Sequence, residues 1–124
     1  MTKTYQIDAF PNGYFMSWIV TTQAAFLVNA KLSDSATTYF QGSKQSMDIQ
    51  PPLSQGASFV IGTNLELFID IPQAISISNS INTYTITDNN GNPIGYGYTI
   101  FIEDGVDSDF NDVCISLIAW KTKG

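Results

Sequence analysis

Leu65-Glu66-Leu67-Phe68-Ile69-Asp70-Ile71 places an aliphatic side chain at every second position and Glu, Phe or Asp between them. A period of two marks a β-strand with one face in a core, because successive side chains of a strand point to opposite sides. The same alternation runs through Phe26, Val28, Ala30 and Leu32, through Tyr96, Tyr98, Ile100 and Ile102, and through Val113, Ile115, Leu117 and Ala119. Shorter strands are expected over 5–9, 14–21, 37–41, 58–61, 74–79 and 83–87. Between them lie turn signals: Asn12-Gly13 and the run 89–93 tolerate positive φ, and Pro51-Pro52 breaks helices and central strands. Residues 84–102 read as a hairpin with Asn90-Gly91 at its tip. No segment carries a helical stripe of useful length. The pattern predicts an all-β chain, an antiparallel β-sandwich of about nine strands, with residues 1–124 forming a single domain.

The composition permits this. With 44% hydrophobic residues a chain of 124 can bury a core without disulfides, and the lone Cys114 forms no internal bridge. Cys114 falls on the strand face opposite Val113 and Ile115 and reads as a buried structural thiol. There is no apolar run of signal-peptide or membrane-spanning length. The expectation is a soluble chain with no membrane insertion, cytoplasmic or secreted without a recognisable signal peptide.

The charge is uneven. Net charge is −6, and no Lys or Arg occurs from Gln45 to Trp120. A nucleic-acid partner is disfavoured, since phosphate binding needs a basic face. His and Arg are absent from the whole chain. Ser-His-Asp and Cys-His catalysis, His-ligated zinc and arginine clamps on phosphate all go with them.

Five of the eleven acids, Glu103, Asp104, Asp107, Asp109 and Asp112, fall within ten residues between two expected strands. Held close, such carboxylates repel one another and raise each other's pKa. A solvated acidic turn is the plain alternative. Gly105 and Asn111 suit a shaped turn, however, and Val106 and Phe110 can anchor it to the sandwich. The donors are all oxygen, five carboxylates and the Asn111 amide. That set suits calcium, which accepts six to eight oxygens in loose geometry, better than magnesium, zinc or copper. An EF-hand does not fit. Counted from Asp107, the glycine position holds Asp112, the terminal glutamate position holds Ile118, and no helices flank the loop.

The run Glu103-Asp104-Gly105-Val106-Asp107-Ser108-Asp109-Phe110-Asn111-Asp112 resembles the E-D-G-T-D-N-D-Y-N-D signature of the calcium-mediated, fucose- and mannose-binding bacterial lectins. As in that family, an apolar strand ending in Trp follows, near a C-terminal Gly. The likeness covers about twenty C-terminal residues; elsewhere only length and strand pattern agree. It implies a β-sandwich holding two adjacent Ca2+ ions whose coordination is completed by sugar hydroxyls. Glu103, Asp107, Asp109 and Asp112 would hold the first ion. Asp109, Asn111 and Asp112 would hold the second, and Asp104 would accept a hydrogen bond from a sugar hydroxyl. The family also uses a main-chain carbonyl from an early strand end, which aligns with Thr21, and the next residues, Thr22 and Gln23, would contact the sugar. Its C-terminal glycine carboxylate reaches a partner subunit's calcium. Gly124 corresponds, on a tail two residues longer that contains Lys121 and Lys123.

The resemblance thus implies a non-catalytic, calcium-dependent carbohydrate-binding protein for fucose- or mannose-type glycans, acting as a homodimer or homotetramer. A structural or adhesive β-sandwich with a calcium-stabilised loop and no sugar binding is the alternative. A glycosidase would need one acid of raised pKa in a cleft, whereas calcium would keep every carboxylate ionised. Trp18 and Trp120 are expected in core or interface packing. Asp8, Asp34, Asp48, Asp70 and Asp88 are read as solvated or turn residues.

Overall fold

The computed structural model describes residues 1–105 and 108–124. Nine strands form, and none of the described residues is helical: β1 (Thr2–Gln6), β2 (Phe15–Thr22), β3 (Ala24–Ser33), β4 (Thr38–Ser46), β5 (Ser54–Phe59), β6 (Glu66–Asp70), β7 (Ser78–Thr87), β8 (Pro93–Glu103) and β9 (Val113–Trp120). They make two antiparallel sheets, β1-β6-β3-β4 and β5-β2-β9-β8-β7. The all-β sandwich expected from the alternation is the observed architecture.

The period of two is also the period of burial. On β9, Val113, Ile115, Leu117 and Ala119 are buried while Cys114, Ser116, Ile118 and Trp120 are half-buried on the outer side. Across the gap, Leu67 and Ile69 of β6 and Val28, Ala30 and Leu32 of β3 complete the core. Trp18 packs inside, stacked on Phe40 at 5.6 Å, and its indole N–H donates to Ser54 Oγ at 3.1 Å. Gly13 and Gly91 take φ of 92° and 83° at the two turns read from sequence.

Several expectations change. Phe26 was placed in phase with Val28, but the β3–β4 register shifts between Ala24 and Val28, and Phe26 is only half-buried. Residues 74–77 form no strand, and 78–79 and 83–87 belong to one strand, β7, paired with β8 from Ser78 opposite Glu103 to Thr87 opposite Pro93. Both its faces are exposed and mostly Ser, Asn and Thr, so no buried apolar phase could reveal it. Cys114 is half-buried; burial pushes its thiol pKa up, against a smaller opposing effect of a hydrogen bond with Thr21.

Asp34 is more than a solvated turn residue. Its carboxylate accepts the N–H of Ala36 at 2.8 Å, of Thr37 at 3.1 Å and of Gly62 at 3.0 Å, together with the Tyr39 hydroxyl. The β3–β4 turn is thereby tied to the segment before β6. A Cβ at Gly62 would lie 2.4 Å from Asp34 Oδ1, so only glycine permits the approach. Burial works to raise this carboxyl, but the Tyr39 hydroxyl and the three N–H donors outweigh it and hold it below the usual carboxylate range. A depressed folded-state pKa gives stability that is present above the unfolded value and is lost as pH falls through the folded one. Asp34→Ala is expected to cost about 1–2 kcal/mol at neutral pH. Urea melts should show the gap between variant and wild type narrowing below the ordinary aspartate range; a gap independent of pH would count against the network.

Candidate functional site

The acidic run lies in the connection between β8 and β9, adjacent antiparallel strands in register to their ends, with Ile102 opposite Val113. Burial of Ile102 and Val113 therefore fixes both ends of the loop. Glu103, the last residue of β8, is 3% exposed, and Asp112, just before β9, is 8% exposed. Asp109 reaches them from the exposed middle of the loop. Carboxylate oxygens of Glu103, Asp109 and Asp112 lie within 4.8 Å of one another.

The first and last of these acids also shape the loop. Glu103 Oε2 accepts the Gly105 N–H at 2.9 Å, and Oε1 accepts the Phe110 N–H at 3.3 Å. Asp112 Oδ2 accepts the Asp104 N–H at 2.9 Å. Ser108 and Phe110 have φ of 58° and 53°, the left-handed region. Each such residue costs about 1–2 kcal/mol when it carries a side chain. The conformation persists only where its surroundings impose it, and here the Glu103 carboxylate holds Phe110 by its N–H. The two left-handed residues bracket Asp109 and turn it toward Glu103 and Asp112.

The β2–β3 corner lies alongside. Register puts Thr22 opposite Val113 and Thr21 opposite Cys114, and the Gln23 N–H donates to the Asp112 carbonyl at 3.1 Å. Residues 21–23, some ninety positions away in sequence, thus border the acidic loop. Thr21 and Gln23 are half-buried, whereas Thr22 is 1% exposed. Its hydroxyl has no hydrogen-bond partner among the described residues. A surface ligand would meet Thr21 and Gln23 before the Thr22 side chain. Asp104 and Asn111 are half-buried on the same loop. Asp107 lies outside the described residues.

Gly124 is not brought to this place. Trp120, the last residue of β9, pairs with Phe15 and Gly95 at the other end of the sheet. At ~3.4 Å per residue, the eight-residue strand separates the two ends by roughly 25 Å. The four residues beyond Trp120 span at most about 14 Å, so the chain's own carboxylate cannot reach its own acidic loop.

The donor set fits a hard cation. Two ligands on one calcium at about 2.3–2.6 Å lie at most about 5 Å apart, a limit that Glu103, Asp109 and Asp112 meet. Two buried carboxylates so near a third are costly without a compensating cation.

No protein-family model matches the chain, and no curated protein sequence matches it. Solved structures do. The chain is similar to a high-affinity mannose-binding lectin of Ralstonia solanacearum, at TM-score 0.70 and 13% identity, covering 97% of this chain and 96% of that one. It is similar to a Chromobacterium violaceum lectin solved with α-methyl-fucoside, at TM-score 0.65 and 14% identity over 97% and 96% of the two chains. It is also similar to the C-terminal domain of a Burkholderia cenocepacia lectin, at TM-score 0.65 and 15% identity over 96% and 100%. At such identities the likeness establishes the fold: this chain has the β-sandwich fold of these bacterial lectins.

Proposed function

We propose that this chain is a non-catalytic, calcium-dependent carbohydrate-binding protein, with its sugar site on the β8–β9 loop beside the β2–β3 corner. The observation that carries the reading is the convergence of Glu103, Asp109 and Asp112 at the rim of a sandwich whose structural neighbours are lectins. Glu103, Asp109 and Asp112 would hold one Ca2+ together with Asp107; Asp109, Asp112 and Asn111 would hold a second. Bound there, calcium would exchange water for a vicinal pair of sugar hydroxyls. Asp104 would accept a hydrogen bond from a sugar hydroxyl, Thr21 would offer its main-chain carbonyl to calcium, and Thr22 and Gln23 would border the sugar from the neighbouring corner, the half-buried Gln23 more accessibly than the buried Thr22. The ligand class is a fucose- or mannose-type glycan, the sugars of two of the structural neighbours.

Single sites of this size gain by multivalency, and two features support a homo-oligomer. One end of the outer face of the five-stranded sheet carries an aromatic row. Phe59, Phe15 and Trp120 form one row across it, with Ile19 exposed on β2 and Ile118 half-buried on β9 nearby. Phe15 and Phe59 meet edge to face at 5.1 Å, and Lys123 of the tail sits over Phe15 at 5.3 Å. The Gly124 carboxylate, too far from its own loop, could complete a site only in a neighbouring subunit.

Asp109 is the exposed member of the cluster, so its removal tests binding with least damage to the fold. Asp109→Ala is expected to lose calcium and sugar binding together, by calorimetry, while its melting temperature in chelator stays near that of the wild type. A variant that still binds two calcium ions would overturn the ligand assignment. Glu103 favours a second reading, because both its oxygens serve loop N–H groups: a structural or adhesive β-sandwich in which calcium only rigidifies the loop and no sugar binds. Calcium binding with no response on a glycan array would select it.

A further inference from the structure

We infer that the outer face of the four-stranded sheet carries a second binding site, independent of calcium: a cleft that takes one neutral pyranose ring of a glycan. The cleft measures about 270 Å3 and opens across β6, β3 and β4. Sheet register builds it. Asn29 stands between Asp70 and Ser43, and Lys31, two residues on, stands between Phe68 and Gln41. Two cross-strand rows of side chains, Asp70-Asn29-Ser43 and Phe68-Lys31-Gln41, thus face each other. Between them Ala30 and Ile69 turn their side chains into the core. Ala30 pairs with Gly42, and these two supply a floor of backbone. At ~3.4 Å per residue and ~4.8 Å per strand, the floor is roughly 7 by 10 Å, room for one sugar ring.

The first row is ordered by its own hydrogen bonds. The Ser43 hydroxyl donates to Asn29 Oδ1 at 2.5 Å, and Asn29 Nδ2 donates to Asp70 Oδ2 at 3.3 Å. One amide therefore fixes a hydroxyl and a carboxylate in line across three strands. Each member keeps capacity for a ligand: the hydroxyl can accept, the carboxylate has a second oxygen and the amide a second N–H. In the other row Phe68 and Lys31 are half-buried and Gln41 is exposed. The Lys31 ammonium sits over the Phe68 ring at 6.0 Å from its centroid. That is the outer limit of a cation–π contact, so the ammonium is loosely held and can turn to a ligand while its stem stays as a wall.

The lining selects the ligand. One ammonium and one carboxylate leave the cleft without net charge: an anion would meet Asp70 and a cation would meet Lys31. Two amides and a hydroxyl make the walls too polar for a lipid. Sites for drug-sized apolar ligands are also larger, about 300–1,000 Å3. A neutral pyranose fits on both counts. Its hydroxyls both donate and accept on adjacent carbons, so one can donate to Asp70 while its neighbour accepts from Asn29 or Lys31, and the Gln41 amide can do either. Its ring C–H groups, slightly positive, suit the electron-rich face of Phe68. No metal takes part, and the acidic loop belongs to the other sheet. On the sugar-binding reading proposed above, each chain then offers two sugar sites, of which one needs calcium; the cleft itself does not rest on that reading.

The experiment is a proton–nitrogen NMR titration of the whole chain in excess EDTA, with the methyl pyranosides of mannose, glucose and galactose, and with methyl glucuronide as the acidic comparison. At least one neutral pyranoside is expected to shift the amide signals of residues 29–31, 41–43 and 68–70, saturating in the millimolar range. Phe68→Leu keeps the apolar bulk and loses the ring, and is expected to weaken this binding about fivefold. Lys31→Met keeps the stem and loses the ammonium, with a loss of about the same factor; its side chain lies on the outer face, so this variant decides the matter should Phe68→Leu disturb the spectrum. Both variants are expected to keep the wild-type calcium affinity, since neither residue belongs to the acidic loop. Absence of cleft shifts with every neutral pyranoside at high millimolar concentration would overturn the proposal, as would shifts that both substitutions leave unchanged. Shifts with the glucuronide alone would overturn the neutral ligand and assign the cleft to an acidic one. Cleft binding in EDTA from a chain that takes up no calcium would support the cleft and defeat the calcium reading, which separates the two proposals.

Discussion

Excess chelator is expected to abolish glycan binding and to lower the melting temperature by roughly 10 °C relative to calcium at a hundred times its dissociation constant, a linkage effect of about 2.7 kcal/mol. The reason lies in the loop. Glu103 and Asp112 are buried beside Asp109, and left-handed Ser108 and Phe110 hold the backbone in a costly conformation. A cation removes the mutual repulsion of the acids and rewards that conformation; without it both costs stand. A glycan array and a thermal melt, each with calcium and with EDTA, read the two effects separately. Array binding that is unchanged in excess EDTA would sink the calcium-dependent mechanism. A fall in melting temperature with no sugar bound in either condition would leave calcium as a loop brace alone.

Asp112→Asn and Asp112→Ala are expected to weaken calcium binding on the order of a hundredfold or more, about 2.8 kcal/mol, and to take sugar binding with it. They should differ in chelator. Asp112 Oδ2 accepts the Asp104 N–H. Asparagine retains an acceptor there and removes one of the three close carboxylates, so in EDTA it should be at least as stable as the wild type. Alanine leaves that N–H without its acceptor, at about 1 kcal/mol. The stability order of wild type and Asp112→Asn therefore inverts between EDTA and calcium. Differential scanning calorimetry in both buffers checks this. Asp112→Asn with wild-type calcium affinity would remove Asp112 from the ligand set.

Much of the fold was legible because burial on one face of a strand writes a local pattern. Leu65 to Ile71 and Val113 to Ala119 alternate in sequence and are buried in the same phase. The acidic run was legible for a related reason: a charge cluster between two alternating segments has to be the loop that joins two strands. β7 was not legible, since exposed faces of mostly Ser, Asn and Thr leave no buried apolar phase, and it was split into two strands. The slip of β3 near Phe26 was hidden because its register against β4, not its composition, sets where the bulge falls.

The sequence by itself determined an all-β chain, an oxygen-only donor set and the absence of His and Arg chemistry, because composition and period are properties of neighbouring residues. Only the tertiary structure decided which groups meet. Glu103, Asp109 and Asp112 converge because β8 and β9 pair to their ends and two left-handed residues turn Asp109 back. Residues 21–23 border them because β2 pairs with β9, and the same strand carries Gly124 away to the far end of the sheet. Sheet register joins residues ninety positions apart through backbone hydrogen bonds that every residue type can make, so no local pattern encodes it.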